Sequence, residues 1–216
     1  MPSSASDRLI ERTRPFKKHH YGIGLADVGA IPVDIDTIND IQECLRSSNV
    51  DELRWGLFFS LGLLRGKGQV DRTLSEDLIQ SLPEWVKHRD ARIRSAALPI
   101  LFELRDAVPN FAHQMVECLV DTDAEVREFA LRNAHLFIPQ KGINRLLPFR
   151  TDPYAAEAEL GGSLTYVLRN LALEQIENIL RKRFPKSELS EVHNHKVHFW
   201  WDWQPFLTWW ARQEGR

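Results

Sequence analysis

The sequence predicts an all-α protein whose helices stack as a right-handed α-α superhelix, or solenoid, of about four to five helix pairs. One pattern occurs twice: Asp-Ala-Arg-Ile-Arg-Ser-Ala-Ala-Leu at 90–98 returns as Asp-Ala-Glu-Val-Arg-Glu-Phe-Ala-Leu at 123–131. This spacing of about 33 residues is typical of repeats built from helix pairs. Apolar residues also recur with helical period inside each copy, whereas no segment alternates with period two for long. Strands are therefore expected to be absent or minor.

The composition is that of a single globular domain of 216 residues with little net charge. The formal charge of −2 gives no reason to expect nucleic acid or an acidic membrane as a partner. No apolar run approaches the roughly 20 residues that span a bilayer, and the N-terminus lacks the apolar core of a secretory signal. Cys44 and Cys118 lie in apolar helical contexts, which indicates buried free thiols in a reducing compartment. We therefore expect a cytoplasmic protein that does not bind a membrane.

The chain divides into three predicted segments of one domain. Residues 1–35 lack a clean period and contain several Ser, Gly and Pro residues, so we expect an irregular N-terminal arm. Residues 36–185 carry the repeated helix pairs. Residues 186–216 are rich in tryptophan and are expected to form a capping helix for the stack.

Capping residues and apolar periodicity set the helix bounds within the central segment. The first helix is expected to begin near Asp36, with Asp36 or Thr37 as its cap. Thr73 and Glu76 form a capping box for a later helix, which Pro83 is expected to kink. The other predicted helices cover 51–64, 90–106, 109–120, 123–137, 152–171 and 173–184.

The segment Leu119–Leu131 resembles the second half of a HEAT repeat. In that family the turn between the two helices carries Asp, and the next helix opens with Val-Arg before Ala and Leu in the core. Asp121, Val126 and Arg127 match this pattern in order and spacing. The resemblance covers about 45–185. It implies a HEAT-like solenoid in which Asp and Arg side chains form a polar ladder between neighbouring repeats.

Two further copies of the pattern depart from it at the turn. Arg94 matches one repeat earlier, but His88 stands where the turn Asp is expected. Arg54 belongs to a weaker third copy, with Ser48 in the same place. These departures affect the predicted ladder and not the predicted helix pairs.

The second helices of stacked repeats line the concave groove of a solenoid, and such grooves bind partners. Aligning Arg54, Arg94 and Arg127 brings one face of each second helix into a column. The residues of this column that we predict to bind another protein are Trp55, Phe59, Arg92, Phe102, Glu125, Glu128, Arg132 and His135. Aromatic side chains on a face that should be polar favour an interface, while the alternative is an ordinary solvated helix face.

Five of the seven tryptophans fall within 200–210. Asp202 is placed to cap a helix from Trp203, with Pro205 tolerated in its first turn. One interpretation is a cap over the apolar end of the stack, and we favour it. The other is an aromatic surface for a partner, with Trp201 and Trp209 as its predicted contacts.

Three histidines, His193, His195 and His198, lie within a short run and could ligate a metal ion. No Cys or second His cluster in the sequence supplies the further ligands that a zinc site needs. We therefore predict neither a metal nor a cofactor.

The run Trp200-Trp201-Asp202 resembles part of the Trp-Trp-Asp-x-Val-Asp motif of the HEAT-like DNA alkylation-repair glycosylases, in which the second Asp is catalytic. Pro205 occupies that position here, and the body of the chain is acidic, whereas a duplex-binding groove needs clustered Arg and Lys. No P-loop, dinucleotide-binding motif or nucleophile elbow is present. We therefore predict no catalytic residue and a protein–protein interaction module, of adaptor or immunity type; the alternative is a nucleic-acid enzyme of the alkylation-repair class.

Overall fold

The computed structural model describes residues 4–16, 24–66, 72–154, 156–157, 163–193 and 196–214. Most of this length is helical, as the sequence predicts. The chain forms two compact units, Met1–Gln114 and Met115–Arg216. The boundary falls within helix α7 (Phe111–Cys118).

The first unit is built from helices around an apolar core. Its elements are α1 (Ala5–Thr13), a 3₁₀ helix (Arg14–Phe16), α2 (Leu25–Val28), α3 (Ile35–Leu45), α4 (Val50–Arg65), α5 (Arg72–Trp85) and α6 (Ala91–Glu103). The largest fully buried side chains described in this unit are those of Leu9, Ile41, Leu57, Phe59, Leu74, Leu78, Leu82, Ile93, Leu98, Ile100 and Leu101. These helices agree with the predicted ones to within a few residues, except at the N-terminus.

Helix α1 lies where the sequence analysis expected an irregular arm. A capping box opens it: Ser4 Oγ accepts a hydrogen bond from Asp7 N, and Asp7 Oδ2 accepts one from Ser4 N, both at 3.2 Å. Its apolar face is narrow, with Ala5 and Leu9 buried, which is why the periodicity was weak. Arg8 fixes the helix to α3 through Asp40, at 2.7 Å between Nε and Oδ1.

The cap of α3 is Asp34 rather than Asp36 or Thr37. Asp34 Oδ1 accepts a hydrogen bond from Thr37 N at 2.7 Å. Helix α5 continues through Pro83 to Trp85, and the side chain of Thr73 in its predicted capping box lies outside the described part of the chain.

Helices α2 and α4 approach each other closely at Gly62. A Cβ atom at this position would lie 2.4 Å from Val28 Cγ1, so only glycine fits without a shift. The missing side chain therefore allows α2 to pack directly against α4.

The two copies of the repeated pattern have the same local structure. Asp90 Oδ1 accepts a hydrogen bond from Arg92 N at 2.9 Å, and Asp123 Oδ1 accepts one from Glu125 N at 3.0 Å. Each Asp is therefore the N-cap of the helix that follows.

The arginine of each copy also makes the same contact. Arg94 Nη1 donates to His88 O at 2.8 Å, and Arg127 Nη1 donates to Asp121 O at 2.9 Å. Arg54, assigned to a third copy, differs: its Nη1 lies 3.8 Å from Asp51 in its own helix. The reason is register, because Arg54 follows its cap Asn49 by one residue more than Arg94 follows Asp90.

The second unit combines helices with a small sheet. Its elements after α7 are α8 (Ala124–Arg132), 3₁₀ helices at Ala134–Leu136, Gln140–Arg145 and Leu147–Thr151, β1 (Ala156–Glu157), β2 (Ser163–Thr165), α9 (Val167–Leu180), β3 (Glu188–His193), β4 (Lys196–Trp201) and α10 (Gln204–Glu214). The predicted helix 123–137 thus ends early and continues as a 3₁₀ turn.

The predicted helix 152–171 is wrong, because Asp152 is not a helix cap. Its carboxylate accepts hydrogen bonds from Arg127 and from Tyr154 N, the latter at 2.9 Å. Helix α9 instead begins at Val167 and ends at Leu180, and its C-cap Arg181 adopts a left-handed conformation with φ 51°. Of the second predicted helix of this region, 173–184, residues 173–180 form the C-terminal part of α9 and the last four residues lie beyond it.

The second unit contains a small four-stranded sheet with the strand order β1-β2-β4-β3. From the sequence, strands were expected to be absent or minor. Strands β3 and β4 form an antiparallel hairpin that pairs Leu189 with Trp200 and Val192 with Val197. The predicted capping helix 186–216 is therefore a hairpin followed by α10. The sequence signal was obscured because β4 ends in three consecutive aromatic residues, Phe199 to Trp201, so polar and apolar positions do not alternate along it. His198 and Trp200 lie against Tyr166.

Both cysteines are buried and unoxidised, as predicted. Burial raises the pKa of the Cys44 thiol to about 12. In the part of the chain that the structure describes, no helix is both long and apolar enough to cross a membrane.

Candidate functional site

A groove of about 560 Å³ lies between α4 and α6 in the first unit, and we call it the α4–α6 groove. Its lining residues are Asp51, Arg54, Trp55, Phe58, Leu61, Ala96 and Pro99. The lining positions on α4 and those on α6 recur at three- and four-residue spacing, so each helix presents one face to the groove. The wall is therefore mostly apolar and is built from two well-packed helices.

The aromatic side chains that line the groove, Trp55 and Phe58, pack against the buried side chain of Phe59. Trp55 and Phe58 are half-buried, and their rings meet edge to face with centroids 5.7 Å apart. Phe59 has no exposed surface, and its ring lies 5.9 Å from Trp55 and 6.0 Å from Phe58. Phe59 was predicted to contact a partner, but its buried position makes it a support for the two rings that line the groove.

The polar end of the groove carries paired charges. Arg92 Nη1 lies 3.4 Å from Asp51 Oδ1 on α4, and Arg92 Nη2 lies 2.8 Å from Asp90 Oδ2 at the start of α6. Hydrogen bonds from Arg92 lower the pKa of Asp90 to about 2. The predicted partner-binding residue Arg92 is thus an exposed bridge between the two helices, and Arg54 beside it also pairs with Asp51.

Phe102 lies outside the groove lining, near the end of α6. It is half-buried, its ring centroid is 6.4 Å from that of Phe111, and the Arg105 guanidinium lies 5.1 Å from its ring. Contacts with the Phe111 ring and the Arg105 guanidinium therefore cover part of a side chain that was predicted to face a partner.

The predicted column residues of the second unit lie on α8 and the turn after it. Glu125 is exposed, and Arg132 donates from Nε to Glu128 Oε1 at 3.0 Å within the same helix. His135 Nδ1 lies 2.8 Å from Gln175 Oε1 on α9. Of the four, Glu125, Arg132 and His135 are exposed and Glu128 is half-buried.

The C-terminal tryptophans divide between core and surface. Trp203 and Phe206 are buried, and Asp202 Oδ1 accepts a hydrogen bond from Gln204 N at 2.9 Å, so Asp202 caps α10 as predicted. Trp201 and Trp209 are half-buried. Lysine ammonium groups lie over both rings, Lys186 at 5.6 Å from Trp201 and Lys182 at 4.7 Å from Trp209.

The three histidines do not appear as one described cluster. His198 is buried on β4 with its ring centroid 5.0 Å from that of Tyr166. His195 and the side chain of His193 lie outside the described residues. Among the residues that the structure does describe, no group of three or more His, Cys, Asp or Glu side chains could hold a metal ion.

No protein-family model matches the chain, and no curated protein matches its sequence. Among solved structures, the chain is similar to an engineered protein from the Northeast Structural Genomics Consortium, with 16% identity and a TM-score of 0.48. The similarity covers 81% of this chain and 71% of that one. At this TM-score it supports no conclusion about fold or function.

Proposed function

We propose that the protein is a non-enzymatic, HEAT-like interaction module that binds another protein through the α4–α6 groove. The observation that carries the proposal is the pair of half-exposed rings, Trp55 and Phe58, on the wall of a groove between two packed helices. Tryptophan and other large aromatic side chains in apolar pockets dominate binding energy at protein interfaces. An adaptor or immunity-type role in the cytoplasm agrees with this chemistry.

The dimensions of the groove favour an amphipathic helix of the partner. The lining residues of α4 run from Asp51 to Leu61, a helical rise of about 15 Å. A helix of the same length presents apolar side chains at i, i+3, i+4 and i+7, which is the pattern that apolar grooves recognise. We therefore propose a partner segment of about three helical turns with its apolar face on Trp55 and Phe58.

The charges at the end of the groove favour protein over nucleic acid. Arg54 and Arg92 both pair with Asp51, and Arg92 also pairs with Asp90. Arginines that are already paired with carboxylates contribute little to the neutralisation of phosphates that nucleic-acid binding requires. Binding at this groove would instead draw on the burial of apolar surface.

The matched structure of the two pattern copies supports a repeat architecture. Asp90 with Arg94 and Asp123 with Arg127 make equivalent capping and backbone contacts. Equivalent contacts at equivalent positions are expected of repeats related by duplication. The HEAT-like solenoid remains part of the proposal.

The test begins with affinity purification of the tagged full-length chain and identification of co-purifying proteins by mass spectrometry. Binding of a purified candidate is then measured by calorimetry for the wild type and for Trp55→Ala. The variant should bind at least roughly 30-fold more weakly, as expected for loss of an aromatic hot spot. Ala96→Trp, which fills the groove without deleting a ring, should weaken binding similarly.

The matched control is Ile35→Ser, which alters an exposed apolar side chain on α3 outside the groove. It should bind as the wild type does. A partner whose affinity is the same for the wild type, Trp55→Ala and Ala96→Trp would overturn the proposed site. The proposed function would be overturned if every protein that co-purifies with the wild type also co-purifies with Trp55→Ala and Ala96→Trp, or if no protein co-purifies at all.

A further inference from the structure

Strand β3 lies at one edge of the sheet in the second unit and is open to solvent along its described length. Among the described residues, the strand order β1-β2-β4-β3 pairs β3 on one side only, with β4. Its residues from Glu188 to Val192 are all exposed, including two large apolar side chains: Leu189 is 40% and Val192 73% exposed. An exposed strand edge offers backbone N–H and C=O groups to another strand.

The two faces of β3 differ in chemistry. Glu191 lies on the same face as Tyr166, and its Oε1 accepts a hydrogen bond from Tyr166 Oη at 2.8 Å. Because side chains alternate along a strand, Glu188, Ser190 and Val192 share the opposite face. There Val192 pairs with Val197 of β4, and Glu188 pairs with Trp201. If a further strand paired with β3, its side chains on this face would lie opposite Glu188, Ser190 and Val192. The face therefore offers that strand a carboxylate, a hydroxyl and an apolar side chain.

A second copy of the chain is a poor occupant of this edge. Two twofold-symmetric antiparallel registers pair five residues of β3 with β3 of another copy. The register centred on Ser190 places Glu188 opposite Val192 and Leu189 opposite Glu191 of the second copy. The register centred on Glu191 sets the two Glu191 carboxylates against each other. Like charges directly opposite each other are destabilising, and an acid opposite an apolar residue gains nothing.

We propose that the β3 edge binds an extended, basic segment of a partner protein by antiparallel strand addition. The segment would carry an apolar residue opposite Val192 and, four residues later, Lys or Arg opposite Glu188. The apolar residue would continue the Val192–Val197 row, and the cation would pair with an exposed carboxylate. Main-chain hydrogen bonds give affinity in this mode, and alternate side chains give specificity.

The probe is a blocked peptide, Thr-Val-Thr-Thr-Thr-Lys-Thr, titrated into ¹⁵N-labelled full-length protein while backbone amide shifts are followed. A second peptide has Glu in place of Lys. Two further peptides carry N-methyl groups on alternate amides, one set for each edge of the strand. Shifts should centre on β3, and the Lys peptide should bind roughly fivefold more tightly than the Glu peptide. N-methylation of one set should abolish binding, while methylation of the other should leave it intact.

Glu188→Lys should invert the preference between the Lys and Glu peptides, whereas Glu84→Lys, at an exposed site in the first unit, should leave it unchanged. Trp55→Ala should bind the peptide as the wild type does. The proposal for the β3 edge is therefore tested independently of the proposal for the α4–α6 groove. No β3 shifts at millimolar peptide, or equal binding of both N-methylated peptides, would overturn strand addition. A concentration-dependent dimer with protected β3 amides in the absence of peptide would overturn it in favour of a second copy.

Discussion

Arg127 holds Asp152 through two contacts, Nε to Oδ2 at 3.2 Å and Nη2 to Oδ1 at 3.3 Å. The same guanidinium donates from Nη1 to Asp121 O, so one side chain joins the turn before α8 to the segment after the last 3₁₀ helix. Both side chains are well covered, at 15% and 11% exposed. The described residues of the second unit thus include an Asp–Arg link of the kind that the HEAT resemblance implies, but with Asp152 as the acid.

Arg127→Ala should lower the free energy of unfolding by about 2–3 kcal/mol, because it leaves Asp152 covered and without its cation. Arg127→Lys should restore only part of this stability, since an ammonium group cannot reproduce the two-point geometry. Urea denaturation of the full chain measures both.

The comparison variant is Arg132→Ala, which removes an exposed ion pair with Glu128 and should cost about 0.5 kcal/mol or less. Equal losses for Arg127→Ala and Arg132→Ala would show that burial of the Arg127–Asp152 pair has no energetic weight.

Glu177 should give the second unit a stability that is lost in acid. Burial raises the pKa of this carboxyl group, but hydrogen bonds from Phe184 N, Arg183 and Lys186 outweigh burial, so its pKa lies below the ordinary value of 4.5. A depressed folded pKa contributes stability above the unfolded value, and the contribution is lost as pH falls through the folded pKa. Stability should therefore decline below about pH 4.5.

Glu177→Gln should be less stable than the wild type at pH 7 and should lose less on acidification. The measurement is urea denaturation at several pH values between 7 and 3. A variant with the same acid slope as the wild type would assign the acid dependence to other carboxylates.

Gly62→Ala should destabilise the first unit by about 1–3 kcal/mol, because the added methyl group would overlap Val28. Val28→Ala in the same chain should recover part of the loss by making room for the methyl group. Thermal unfolding of the two single variants and the double variant measures the coupling.

Gly142→Ala provides the matched case, since a Cβ atom there would meet its nearest neighbour at 3.4 Å. That variant should unfold within a few degrees of the wild type. A Gly62→Ala protein with an unchanged midpoint would mean that α2 moves away from α4 at little cost.

Binding at the α4–α6 groove should depend weakly on salt, because Arg54 and Arg92 are already paired with Asp51 and Asp90. The Kd of an identified partner should change by less than about threefold between 50 and 300 mM NaCl. Calorimetry at the two concentrations tests this expectation. A steep salt dependence would indicate a charged interface in place of the aromatic one.

The sequence predicted the helices of the first unit well because their apolar stripes are long and their caps are clear. The predicted column was one residue out of register on α4, since Arg54 was aligned with Arg94 without regard to the caps. Counted from the caps Asn49 and Asp90, Phe58 rather than Phe59 stands level with Pro99. Phe58 and Pro99 both line the groove. Alignment of the two helices by their capping residues would therefore have identified Phe58 as the aromatic side chain that lines the groove.

The second unit was predicted less well because its elements depend on distant partners. The Asp152-Pro153 pair is a reasonable helix start by local rules, but Arg127 and Tyr154 N use the Asp152 carboxylate. Strand β4 lacks a clear alternation of polar and apolar residues, since it ends in the aromatic run Phe199 to Trp201 and its other face packs His198 and Trp200 against Tyr166. Neither contact can be inferred from neighbouring residues in the chain.

Each unit contains one buried cysteine, so the alkylation rate of that thiol reports how often the unit opens. Cys44 belongs to Met1–Gln114 and Cys118 to Met115–Arg216, and both thiols are shielded in the folded protein. Alkylation followed by mass spectrometry should therefore record, thiol by thiol, how often each unit opens. Identical rates for the two cysteines would mean that the units unfold as one cooperative body, and different rates would rank their stabilities without any engineered label.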